Sequence, residues 1–254
     1  MQFDYNFTLL LLIFMRISGC ILFNPILGRK NIPPIFNVGL CLLLTFFSYP
    51  LVPQQTLAIN SPLVFCVFAV RELLLGLIIG YIIQLFLSVL IMSGEMMDIQ
   101  IGFSMSRIYD PQSNIAMPLS ASLINAMFFL IFFTVNGHLT LIKIFTKLCA
   151  MVPYGTWTIH AATYAELAKL LSLMLVYAVK IALPVLAVGM VTEMAVGLIM
   201  RAIPQIDVFS INIHFKLIVG MLVILLMVPA LGIFLDNLIT LMFDCINSFF
   251  STMI

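Results

Sequence analysis

At 254 residues, 63% hydrophobic and only 8% charged, with a mean hydropathy of +1.23, the chain lies far from soluble globular domains, in which roughly 25% of residues are charged. Its formal net charge of +1 excludes the basic footprint that nucleic acid or an anionic surface would require. Composition therefore predicts an all-α, polytopic membrane-type protein. Its few charges, however, sit inside or beside the apolar runs: Arg16, Arg71, Glu72, Lys143, Lys147, Lys180 and Glu193. A charge at that depth is costly unless it meets protein, water or a counter-charge, so the chain is expected to be completed by other subunits.

The first residues, 1–6, carry no basic stretch and no small-residue cleavage site follows, so the first apolar segment is expected to remain in the mature protein. Six apolar runs follow in chain order, 7–27, 35–52, 63–92, 119–152, 167–200 and 217–234. About 20 helical residues cross a hydrocarbon core. The third, fourth and fifth runs are too long for one simple crossing, which predicts either helices that project beyond the bilayer or hairpins. Asn136-Gly137-His138 interrupts the fourth run and Pro184 the fifth, each marking a broken helix or a hairpin corner.

Turn chemistry separates the runs: 28–34, 53–62, Asp110-Pro111, Pro153-Tyr154-Gly155 and Pro204. Basic residues fall on alternate connections, at Arg29 and Lys30, at Arg107, and at Arg201 and Lys216, with only Lys169 at the edge of another. This places the basic loops on one side and both termini on the outer side, although Lys143 and Lys147 lie toward the wrong end. The five cysteines are widely spaced, without a C-x-x-C pair, and read as small packing residues.

After the third run, residues 93–111 bring Glu95 and Asp98 onto one helical face and then mix glycines with Met, Phe, Ile and Tyr. Flexible methionines allow such a segment to seal a passage and repack; equally, the segment reads as a loop packed on its neighbours. Gly76 and Gly80 share a helical face, and Gly189 and Gly197 repeat that spacing with Glu193 between them, a pattern of close helix packing within or between subunits. Lys180 and Glu193 also read as a proton relay, but they lie about 220° apart on one helix and are not expected to pair directly.

In 201–216, Phe209, Ile211, Ile213 and Phe215 alternate with polar residues, which predicts an extended segment or strand. The tail 236–254 carries Asp236, Thr240, Asp244, Asn247 and Ser251 as one polar stripe, predicting an amphipathic helix that lies on the membrane or packs on a partner. No catalytic, phosphate-binding or metal motif is present, and His138, His160 and His214 are scattered. The sequence thus points away from an enzyme and calls for no cofactor and no metal. A secondary transporter built on Lys180, Glu193 and Pro184 is the competing class; it would be supported by inverted repeats, and none is visible.

Several of these blocks occur together in one order: Phe14-Met15-Arg16-Ile17-Ser18-Gly19 into Asn24-Pro25-Ile26-Leu27-Gly28, then Gly94-Glu95 through Gly102 to Asp110-Pro111, then Asn136-Gly137-His138, then Arg201 through Phe209 to Lys216. In this the chain resembles the FliR family of flagellar export-gate proteins, whose virulence counterparts are the SctT proteins. Residues 201–210 lean toward the flagellar branch, while the high Phe and Met content and the acidic Asp4 depart from the idealised pattern.

The resemblance implies a single copy in a helical hetero-oligomer with several FliP and FliQ subunits, neighbouring FlhA and FlhB type components. That assembly would stand at the bacterial inner membrane in the flagellar basal body and pass unfolded proteins. It would hold much of the apolar helix within protein above the bilayer, with energy supplied by a proton-motive force and a separate ATPase. The resemblance further implies a plug at about 99–117, with Phe103, Met105, Ile108 and Tyr109 as closing residues and Glu95, Asp98, Arg107 and Asp110 positioning it. Gly76, Gly80, Lys180, Gly189, Glu193, Gly197, Arg201 and Asp207 are the expected helix or subunit contacts.

Overall fold

The computed structural model describes residues 5–28, 32–53, 61–104, 117–155, 161–202 and 208–251. Every regular element among them is helical: α1 Tyr5–Leu22, α2 Pro34–Ser48 with a short 3-10 turn at Tyr49–Leu51, α3 Pro62–Ile101, α4 Leu119–Thr134, α5 Gly137–Met151, α6 Ala161–Ala202 and α7 Val208–Ser251. The expected all-α membrane-type architecture is what the chain adopts.

The over-long third and fifth runs are unbroken helices. At about 1.5 Å per residue, the 40 residues of α3 and 42 of α6 extend about 60 Å, roughly twice a hydrocarbon core. Pro184 lies inside α6 and Pro229 inside α7, each removing one backbone hydrogen bond without ending the helix. The fourth run does break, because Asn136 takes a left-handed conformation at φ 56° and ψ 32°, which asparagine tolerates and an α-helix does not.

Of the six expected spans, α2 with its 3-10 turn, α3, α6 and α7 are long and apolar enough to cross a membrane, and α4 with α5 adds a fifth as a broken pair. The first run is shorter than expected, since its apolar helix ends at Leu22 and Asn24 closes the following turn by accepting the Ile26 N–H.

Two expectations at the C-terminal end are corrected. Residues 208–215 are helical, not extended, and the tail is not a separate element but the last turns of the 44-residue α7. Its polar stripe survives, with Asp236, Thr240, Asp244 and Asn247 exposed and Leu238, Ile239, Met242, Ile246 and Phe249 buried.

The chain divides into two compact units, Met1–Phe86 with Asn136–Leu171 and Ile239–Ile254, and Leu87–Val135 with Ser172–Leu238. In the first, α1 packs on α2 and α5 and crosses the N-terminal part of α3 at Gly19 and Gly76. A Cβ built on Gly76 would lie 2.3 Å from the Arg16 carbonyl oxygen, so the two backbones touch only because glycine is there. The second unit gathers the C-terminal part of α3, all of α4, the C-terminal part of α6 and the N-terminal part of α7 around Met97, Ile101, Ile124, Phe128, Phe132, Ile181 and Val185.

Candidate functional site

In the first unit, a fully enclosed ion pair lies among apolar side chains. Arg16 on α1 and Glu72 on α3 are 0% and 1% exposed. The Arg16 Nε and Nη2 both reach Glu72 Oε2 at 2.6 Å, while Glu72 Oε1 accepts the Gly155 N–H at 2.9 Å. On its other edge, Arg16 Nη1 donates to the carbonyls of Leu148 and Val152 at 3.1 and 2.8 Å; Val152 is the C-cap of α5, whose carbonyl the helix leaves unpaired, and the Leu148 carbonyl also accepts the Val152 N–H. The Tyr154 ring lies 3.8 Å from the guanidinium carbon, a cation–π contact in a desolvated setting. Burial pushes the Tyr154 phenol above its usual range, so it stays neutral beside the pair. One salt bridge thereby joins α1, α3 and the end of α5.

In the second unit, Asp98 stands in the last turn of α3, and its carboxylate receives the start of α4. The Leu119 N–H donates to Oδ2 at 2.6 Å, the Ser120 N–H to Oδ1 at 3.1 Å, and the Ser120 hydroxyl also donates to Oδ1. Pro118, at the N-cap of α4, makes no side-chain cap, so Asp98 supplies from outside the helix what Asp or Ser at the N-cap normally supplies from within. The α3 helix ends at Ile101 and is followed by Gly102, φ 97°, whose N–H donates to the Asp98 carbonyl in a left-handed cap. The Asp98 carboxylate therefore ties the start of α4 to the last turn of α3. A Cβ on Gly94 would lie 2.3 Å from the Ala121 nitrogen, so this α3–α4 contact is also a close backbone approach.

Beside that connection, Glu193 on α6 meets α3 and α7. Its Oε1 accepts from Lys216 and, at 3.4 Å, from Gln100 Nε2. Gly189, one turn earlier, lies against the Gln100 side chain. An apolar groove of about 680 Å³ opens between Phe103, Leu119, Leu123 and Met127 on one side and Met221 and Leu225 on the other. The hydroxyls nearest it are already used, Ser120 on Asp98 and Ser122 on the Pro118 carbonyl.

The sequence-derived residues fall into three groups. Gly76 lies against α1 and Gly80 against Phe23 just beyond its end; Asp98, Gly189 and Glu193 join helices of the second unit; Phe103 lines the groove. Glu95, Lys180, Gly197 and Arg201 are exposed, with Lys180 lying over the Tyr177 ring on its own helix. Lys180 and Glu193 are not brought together. Met105, Arg107, Ile108, Tyr109, Asp110 and Asp207 lie outside the described residues.

Sequence reasoning missed the Arg16–Glu72 pairing, the part of Tyr154, and Gln100 and Lys216 as partners of Glu193. The legible signal was scarcity: with only 10 Asp and Glu, an arginine inside an apolar helix has few carboxylates to choose from. Among the described residues, no three His, Cys, Asp or Glu side chains converge as a metal-binding set.

Residues 7–242 match the family described as bacterial export proteins, family 1. The chain is 27% identical to the flagellar biosynthetic protein FliR of Escherichia coli K12, over 93% of this chain and 90% of that one. It is 24% identical to the flagellar biosynthetic protein FliR of Bacillus subtilis 168, over 95% and 94%, and 26% identical to that of Pectobacterium carotovorum, over 91% and 88%.

Proposed function

The chain belongs to the bacterial export proteins, family 1, and we propose that it is a non-enzymatic subunit of the flagellar type III export gate. The observation that carries this reading is end-to-end similarity to flagellar biosynthetic FliR proteins from distant bacteria. The agreement covers 90% and 94% of those two relatives. The helices suit the role, since four or five are long and apolar enough for a membrane, while the closed Arg16–Glu72 pair lets an apolar assembly hold charge without exposing it to lipid.

The working assembly is a hetero-oligomer with FliP and FliQ type subunits in the bacterial inner membrane, close to FlhA and FlhB type components, and its cargo is unfolded flagellar protein. Within it, the segment 99–117 closes the channel. Phe103, Met105, Ile108 and Tyr109 supply the seal, and Asp98 holds the segment's two ends at a fixed separation, which supports the plug reading. Glu95, Arg107 and Asp110 position the segment; Lys180, Arg201 and Asp207 contribute to contacts between helices and subunits.

The test has two arms. Removing the gene abolishes flagellar protein secretion and restoring it returns secretion; secretion that persists without the gene contradicts the reading. Deleting 103–109 makes closed gates leak ions, and unchanged membrane conductance removes the plug assignment while leaving the subunit assignment standing.

A further inference from the structure

Gln100 and Ile101 close the last turn of α3, and both are seated between α6 and α7. A Cβ built on Gly189 of α6 would run into the Gln100 side chain. One built on Gly220 of α7 would lie 2.6 Å from the Ile101 Cγ1 and 2.8 Å from its Cγ2. Each neighbouring helix therefore presents a glycine where α3 ends, and a larger residue would hold the helices apart. Glu193, one turn beyond Gly189, and Lys216, one turn before Gly220, meet at the rim, where Glu193 Oε1 also accepts from Gln100. The cleft left among Ile101, Val188, Thr192 and Val219 measures about 10 Å³, the least that holds one water. A methyl group added beside Ile101 has no space to enter.

The two sides of this seat differ. Ile101 is 1% exposed and branched at Cβ, so it has few rotamers with which to evade a new atom. Gln100 is unbranched and half-buried, and its side chain can swing clear. Beyond Ile101 the chain turns at Gly102, φ 97°, and Phe103 enters the groove that Met221 also lines. Consecutive residues of α7, Gly220 and Met221, thus border the chain before and after its turn.

We propose that Ile101 and Gly220 are positioning residues of the gate: the depth at which Ile101 sits against Gly220 sets where Phe103 lies, and this seat belongs to the closed state. Bulk added at Gly220 strains the seat, the strain is released when the end of α3 withdraws, and the closed population falls. Truncating Ile101 lowers the same population by removing the apolar contact. Making both changes returns a methyl group to the space the isoleucine leaves, which restores part of the seat.

The inference rests on the export-gate reading and its closing segment, and one preparation separates them. The full-length chain is co-expressed with its neighbouring gate subunits; assembly is read by native mass spectrometry and ion leak by membrane conductance without exported protein. Deletion of 103–109 is the leak control. Gly220→Ala and Ile101→Ala should each assemble as the parent does and raise the leak about tenfold, the population change that overpacking or a cavity of this size brings. The double variant should leak less than either single, and Gly189→Ala should stay within about twofold of the parent. A seat that only stabilised the fold would lower assembly without opening the gate.

Where the deletion leaks, assembled Gly220→Ala and Ile101→Ala gates as tight as the parent overturn the inference alone. A double variant that leaks as much as the two singles combined does the same. If Gly220→Ala does not assemble, Ile101→Ala, which adds no bulk, decides: a leak supports the inference, and a tight or unassembled gate overturns it. A deletion that does not leak overturns the closing-segment reading and the inference with it. Failure of the parent to form any hetero-oligomer overturns the subunit reading as well.

Discussion

The two units place the same chemistry, a carboxylate and a basic side chain amid apolar helices, in opposite settings. In the first, Arg16 and Glu72 are 0% and 1% exposed, and further hydrogen bonds tie them to Gly155, Leu148 and Val152. In the second, Glu193 and Lys216 are 47% and 19% exposed. A closed pair contributes to the fold of a single chain, and breaking it strands a charge in a dry interior. A half-open pair contributes little. Burial, rather than the presence of charge, sets how much each pair contributes to the fold.

The largest expected effect is in the closed pair. Glu72→Ala or Arg16→Ala alone should destabilise the detergent-solubilised chain by about 3–5 kcal/mol. The double substitution should cost clearly less than the two singles combined, because it leaves no orphaned charge. Denaturant unfolding of the four proteins measures this, and additive losses would mean that the pair is not a unit.

Next comes the α1–α3 crossing, where Gly76→Ala forces a Cβ into the Arg16 carbonyl and should cost about 1–3 kcal/mol. The same change at Gly197, which faces open space, should be neutral in the isolated chain. Asp98→Ala should cost about 1 kcal/mol through the lost cap on α4, and hydrogen exchange should show faster exchange at Leu119 and Ser120 before it does so elsewhere in α4. The smallest effect is at the half-open pair: Glu193→Gln should change the isolated chain's stability by less than about 1 kcal/mol while weakening the assembled complex.

Much of the fold was legible because apolar runs of this length have few alternatives to helix. The break at Asn136 was legible because Asn-Gly is a strong local signal, and the backbone there is left-handed. The misread segment, 209–215, shows why periodicity fails over short windows. Phe209 with Ile213, and Ile211 with Phe215, alternate at period two but are also four residues apart, so a helix keeps each pair on one face. The surrounding 44-residue helix decides the outcome.

At the site, the sequence exposed Asp98 and Glu193 as unusual but not their partners. Leu119 and Ser120 offer backbone N–H groups, which leave no trace in composition, and Lys216 lies 23 residues from Glu193. Tyr154 gave only a turn signal, since nothing local shows that Arg16 will lie beneath its ring.

Native mass spectrometry of the chain, co-expressed with the products of its neighbouring genes and extracted in mild detergent, tests the central claim most directly. One copy of this 28.4 kDa chain bound to several copies of smaller hydrophobic subunits is the predicted result. A stable monomer or homodimer would contradict it and return Lys180 and Glu193 to consideration as parts of a transporter.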